Sequence, residues 1–216
     1  MTDAGDWIVA FLSIWVFPKT TIRKIVAADP RRFITEIGWI TGAMGALVFE
    51  VEASNSAALT AIPRWAVGMG PVTLAMSAFT LGLAGVGFIH LLALFFHWAG
   101  RLLGGRGSLT EVRAAVAWSW LPLILLGVVA VIAAILSPSP NLWEKASDHH
   151  WYHLSCSRMA EAELAVWTLF LMAEGLREVH KISNRRAWGL LGLGGMAITF
   201  CALGVFIVTS TVSRLI

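Results

Sequence analysis

Residues 70–100 read GPVTLAMSAFTLGLAGVGFIHLLALFFHWAG, a run without a single Asp, Glu, Lys or Arg. A helix of ~30 residues is ~45 Å long, more than a ~30 Å hydrocarbon core requires. The run therefore predicts a spanning helix that tilts strongly or projects beyond the bilayer. The rest of the chain agrees. Of 216 residues, 16 are Lys or Arg and 13 are Asp or Glu, so 13% are charged, where a soluble domain has ~25%. Hydrophobic residues make up 57% and mean hydropathy is +0.75. These figures exclude a disordered chain, a disulfide scaffold and an ordinary soluble enzyme. They predict an all-α, polytopic membrane helix bundle.

Outward from that run, four more windows carry the ~20 mostly apolar residues a spanning helix needs, at roughly 33–53, 109–137, 159–181 and 187–212. Five transmembrane helices are expected. Trp7 to Phe17 is too short to span and ends at Pro18, so it reads as an interfacial or re-entrant helix. Beyond it, Ile22, Ile25 and Val26 alternate with Lys19, Arg23 and Lys24, the pattern of a helix lying on an anionic membrane surface. Asp29-Pro30 then breaks the chain. Residues 1–32 thus form a cytoplasmic, interfacial amphipathic segment and 33–216 the membrane domain. Asp3 and Asp6 stand where a cleavable signal peptide would need positive charge.

The bases give the orientation. With five spans and an inner N-terminus, the inner side holds Lys19, Arg23, Lys24, Arg31, Arg32, Arg101, Arg106, Arg113, Arg177, Lys181, Arg185 and Arg186. The outer side holds only Arg64, Lys145, Arg158 and Arg214. Twelve bases against four, alternating at every loop, puts the N-terminus in the cytoplasm and the C-terminus outside. The pI near 9.2 therefore records topology, and no nucleic-acid partner is expected. Cys156 and Cys201 are expected to remain unpaired, one in a loop and one in an apolar run. Ser108-Leu-Thr-Glu111 is a capping box, Gly104-Gly105 ends the preceding helix, and Pro122 should kink the third span.

Several ordered landmarks resemble the Yip family of five-span membrane proteins. Phe17-Pro-Lys-Thr-Thr-Ile22 resembles that family's entry motif. His97-Trp-Ala-Gly-Arg-Leu-Leu-Gly104-Gly-Arg-Gly-Ser108 resembles its glycine loop. Trp118-Ser-Trp-Leu-Pro122 resembles its third-span element, and Gly175-Leu-Arg-Glu-Val-His-Lys-Ile-Ser183 its fourth-span exit. The resemblance implies a non-enzymatic integral membrane protein. Eukaryotic relatives are Golgi and endoplasmic-reticulum proteins that interact with Rab-type GTPases. The Asp-Leu-Tyr-Gly-Pro motif of that branch is missing here, so the resemblance implies the prokaryotic branch and the inner membrane.

Three sets of side chains stand out. Charge inside a bilayer is costly, at ~2.5–3.5 kcal/mol on insertion scales. By depth from the cytoplasmic ends, Glu36, His97, Glu174 and Arg177 meet in the inner half, with His90 nearer mid-membrane. Such a set suits a proton relay or a divalent-cation site; simple pairing that locks helices together is the plainer reading. On the outer side, Asp148, His149, His150 and His153 with Glu50 and Glu52 offer ligands for a divalent metal ion, against a plain interfacial loop. Lys19, Arg23, Lys24, Arg101 and Arg106 are placed to contact lipid headgroups. The Gly104–Gly107 loop is no nucleotide cradle, because no strand precedes it and no Walker lysine follows. Small residues at Gly38, Gly42 and Ala46, and at Ala78 and Gly82, predict close helix packing within the chain, with homo-oligomerisation the alternative.

The leading expectation is a membrane scaffold or organiser acting through the bilayer and protein partners, with no certain cofactor. The alternatives are a small cation or proton transporter and, more weakly, a metal-binding membrane protein.

Overall fold

The computed structural model describes residues 4–55, 71–136 and 150–215, and their regular structure is entirely helical. Two short helices, α1 (Ala4–Ser13) and α2 (Pro18–Ala28), come first. The long elements follow: α3 (Ile34–Asn55), α4 (Pro71–Leu102), α5 (Leu109–Ser119) continued by α6 (Leu121–Leu136), α7 (His150–His180) and α8 (Asn184–Leu215). Among the described residues, Ala75–Leu102 and Leu109–Val129 are long and apolar enough to cross a bilayer.

Local chemistry sets the boundaries. Pro18 opens α2, where its missing N–H costs nothing. The α4 helix ends in a Schellman motif: Gly104 takes φ +84°, its N–H donates to Arg101 O at 3.0 Å, and Gly105 N–H donates to Gly100 O at 2.8 Å. Ser108 then caps α5 with both bonds of the box, Glu111 N–H to Ser108 Oγ at 3.3 Å and Ser108 N–H to Glu111 Oε2 at 2.7 Å. The third apolar window is broken at Trp120, two residues before Pro122, which has no N–H for the Trp118 carbonyl.

The helices α3 and α4 pack most extensively, and glycine is the reason. A methyl group on Gly42 would overlap the backbone carbonyl of Leu81, and one on Gly85 would overlap that of Gly38. One on Gly38 would stand 3.0 Å from Val86 Cα. Gly38 and Gly42 of the first small-residue ladder therefore lie against Leu81, Gly82, Gly85 and Val86 of α4 inside one chain, letting the backbones touch.

The deepest core lies at the end of the bundle where α4 turns into α5. Val112, Ala115, Val116 and Ala117 of α5 are completely buried, together with Leu171 and Leu176 of α7 and Leu190 of α8. The N-terminal hairpin belongs to this same core through Trp7, Ile14, Ile22 and Ile25. The alternating pattern of α2 thus turns its apolar side to α5 and α7, not to a membrane surface. Gly175 makes that approach possible: its added methyl would meet Ala115 Cβ at 3.1 Å and Ile22 Cδ1 at 3.2 Å. The outer side of the hairpin is a different surface. Ile8, Val9, Leu12, Val16 and Phe17 are each more than 60% exposed, followed by exposed Lys19, Arg23 and Lys24.

Candidate functional site

Polar groups gather where α2, α5 and α7 meet. Glu178, on the last turn of α7, has a side chain only 7% exposed. Arg23 of α2 reaches it with two bonds, Nε to Oε1 at 2.7 Å and Nη2 to Oε2 at 3.1 Å. Lys181 Nζ adds a third at 2.6 Å to Oε1. The two-bond fork fixes the angle between the planar guanidinium and the carboxylate, which a lysine could not do. Hydrogen bonding to Glu178, and then its charge, raise the pKa of Arg23, so the cation is secure at any physiological pH. Beside this clamp lies a shallow cavity of about 220 Å³, lined by Arg23, Val26, Ala27, Glu111, Glu178, Val179 and Lys181.

One turn earlier on α7, Glu174 accepts from Arg177 Nη1 at 2.8 Å, an i,i+3 pair within its own helix. The remaining members of the inner set do not join it. Glu36 is exposed on the first turn of α3. His90 Nδ1 lies 2.9 Å from Val86 O one turn back on α4. His97 instead approaches His180, with ring centroids 6.4 Å apart. Of the headgroup set, Lys19, Lys24, Arg101 and Arg106 are exposed, while Arg23 is held by Glu178.

Two participants were not singled out from sequence. Glu178 and His180 stood only within the Gly175–Ser183 stretch quoted for its family resemblance. His180 is completely buried, and neither ring nitrogen has a hydrogen-bond partner. The ring sits between two glycines of the α4 terminus. A methyl on Gly100 would overlap Nε2, and one on Gly105 would stand 2.6 Å from Nδ1. Arg106 N–H donates to His180 O at 3.1 Å, tying the loop to the end of α7. From the other side, Arg186 Nη1 donates to Leu103 O at 3.1 Å. The available signal was the pair Gly100 and Gly105, whose purpose appears only when a partner ring is brought against them.

The outer metal set lies outside what is described: Asp148 and His149 wholly, and Glu50, Glu52, His150 and His153 in their side chains. Among the described residues, no three His, Cys, Asp or Glu side chains converge on a metal-sized site.

This geometry places the glycine loop, the capped start of α5 and the end of α7 in one interlocked unit. A family profile for the Yip1 domain matches residues 12–207, about nine-tenths of the chain. The chain belongs to the Yip1 domain family. Membership makes it a membrane protein, in keeping with its apolar helices. The matched region takes in α2 and the glycine loop, so the clamp and the His180 cradle both fall inside the Yip1 domain. No curated protein and no solved structure gave a match.

Proposed function

We propose that this Yip1-domain chain is a non-enzymatic organiser of the prokaryotic inner membrane, with five spans, an inner N-terminus and an outer C-terminus. It presents the α1–α2 hairpin and the adjoining basic loop to lipid and to protein partners. The observation that carries this reading is the Arg23–Glu178–Lys181 clamp. It holds an otherwise marginal eleven-residue helix rigidly against the bundle, since helices this short need tertiary support. The apolar outer side of α1 then enters the acyl boundary while Lys19 and Lys24 remain at headgroup level, where each base near an anionic surface contributes ~1 kcal/mol.

The transport reading has less support, because its carboxylates are engaged or apart: Glu174 is paired with Arg177, and Glu36 is exposed. Reconstituted vesicles test the choice directly. Proton, Na+ and K+ fluxes should match those of empty vesicles, and a photo-crosslinker at position 24 in intact cells should capture anionic lipid and a discrete protein neighbour. Cation flux that disappears in Glu174→Gln would replace the organiser with a transporter. Cysteine labelling from each side of the membrane at both termini checks the five-span orientation.

A further inference from the structure

The buried imidazole of His180 has a consequence independent of which partners the bundle organises. We propose that His180 is an acid-sensitive latch: neutral, it locks the α4–α5 loop onto the end of α7, and protonated, it leaves its cradle and frees that loop.

Three observations carry the proposal. First, the ring is completely buried and both nitrogens lack partners. A neutral imidazole without partners is costly but tolerable, whereas an imidazolium there would be a buried charge with little more than the Phe96 backbone carbonyl and the Glu111 carboxylate to offset its lost hydration. Second, the fit is made by absence of side chains: Gly100 and Gly105 leave room for the ring and nothing more. With the ring completely buried, a charged His180 gains hydration by moving out of the cradle. Third, what the ring holds down is specific. Arg106 N–H anchors the loop to His180 O, a bond that depends on α7 staying seated, beside the Gly105 N–H to Gly100 O bond that closes α4.

The surroundings favour opening over accommodation. On α4, His97 and Arg101 face His180, and on α5 Glu111 does. The charges of His97 and Arg101 both oppose an imidazolium at position 180. Glu111 is occupied by the Ser108 N–H at 2.7 Å. On α8, Arg186 is engaged by Leu103 O, and on α7 itself Glu178 already serves Arg23 and Lys181. A proton taken from water by His180 therefore finds relief in two ways, by moving toward solvent or by drawing Glu111 from the cap of α5. Either way the loop bearing Arg101 and Arg106 is released.

Amide hydrogen exchange on the full chain in nanodiscs tests the latch. After correction for intrinsic rates, protection across residues 103–108 should hold from pH 8 to 7. It should then fall by up to ~10-fold per pH unit below the ordinary imidazole range near ~6.5. His180→Gln, which cannot charge, should give a flat profile, while His97→Gln keeps the wild-type fall. Gly100→Ala, whose methyl would meet the His180 ring first, should lose protection already at pH 7.5. Unchanged wild-type protection down to pH 5 overturns the latch, as does an equal fall in His180→Gln. Loss of the fall in His97→Gln alone would assign the titrating group to His97 and overturn it too.

Discussion

The α3–α4 crossing and the α2–α5–α7 corner are both close-packed, yet they reach closeness by different means. At the crossing, Gly38 and Gly42 meet Gly85 and Val86 with backbone against backbone, and nothing there carries charge. At the corner, a bidentate ion pair, a capping box and a buried imidazole set the positions. Close packing of the first kind has one arrangement and no control input. The second kind depends on protonation and on salt, and it is the part that includes the N-terminal hairpin. The chain thus combines a fixed spine with an adjustable end.

The largest expected effect strikes the spine. Gly42→Ala forces a methyl into the Leu81 carbonyl, a backbone atom that cannot step aside, and should cost about 3 kcal/mol or more, read as loss of the monodisperse peak on heated size-exclusion. Its control is Gly45→Ala, where nothing lies within 4 Å. That variant should be neutral or gain up to ~1 kcal/mol from helix propensity. Equal damage from both would erase the distinction between the two regions.

At the corner the effects are smaller and depend on conditions. Ser108→Ala removes one bond of the capping box and should cost about 1 kcal/mol, seen as a lower midpoint in thermal unfolding at every salt concentration. Arg23→Ala should have a smaller effect, because the arginine side chain is 56% exposed and exposed ion pairs are weak. Its signature is a proteolytic cut within residues 13–30 that wild type resists. That sensitivity should be mimicked in wild type by raising salt to ~1 M, where the Debye length falls to ~3 Å. A salt-indifferent hairpin would mean that Ile22 and Ile25 alone hold it. The smallest change is Glu174→Gln, a few tenths of a kcal/mol for a pair within one helix. A collapse of the fold would show that Glu174 does more than its bond to Arg177.

How far the sequence revealed this depends on the separation of the interacting residues. The capping box and the glycine stop at Gly104 are local, so their residues alone declare them. The break near Pro122 is local as well, although it falls at Trp120, where the missing N–H takes effect. The apolar windows lie within α3 to α8 because hydropathy is a sum over neighbours. Arg23 and Glu178, by contrast, are 155 positions apart, and a base on an amphipathic helix reads equally well as a headgroup contact. His180 carries no sign of its burial, since a lone histidine at a helix end is most simply a solvated one. Glu174 and Glu178 are four residues apart on α7 and share a face, yet a shared face does not say which of two carboxylates meets another helix.

The cradle around His180 also bears on how this chain can diverge. Gly104 is constrained by its own backbone, at φ +84°, where asparagine is the least strained alternative. Gly100 and Gly105 are constrained by a side chain that arrives from 75 to 80 positions later in the chain. An alanine at 100 becomes acceptable once position 180 is small, whereas one at 105 still meets Gly100 O at 2.8 Å. Related chains should therefore exchange residues at 100 and 180 in concert, while 104 and 105 follow their own backbone, leaving a two-position correlation as the inherited trace of one buried ring.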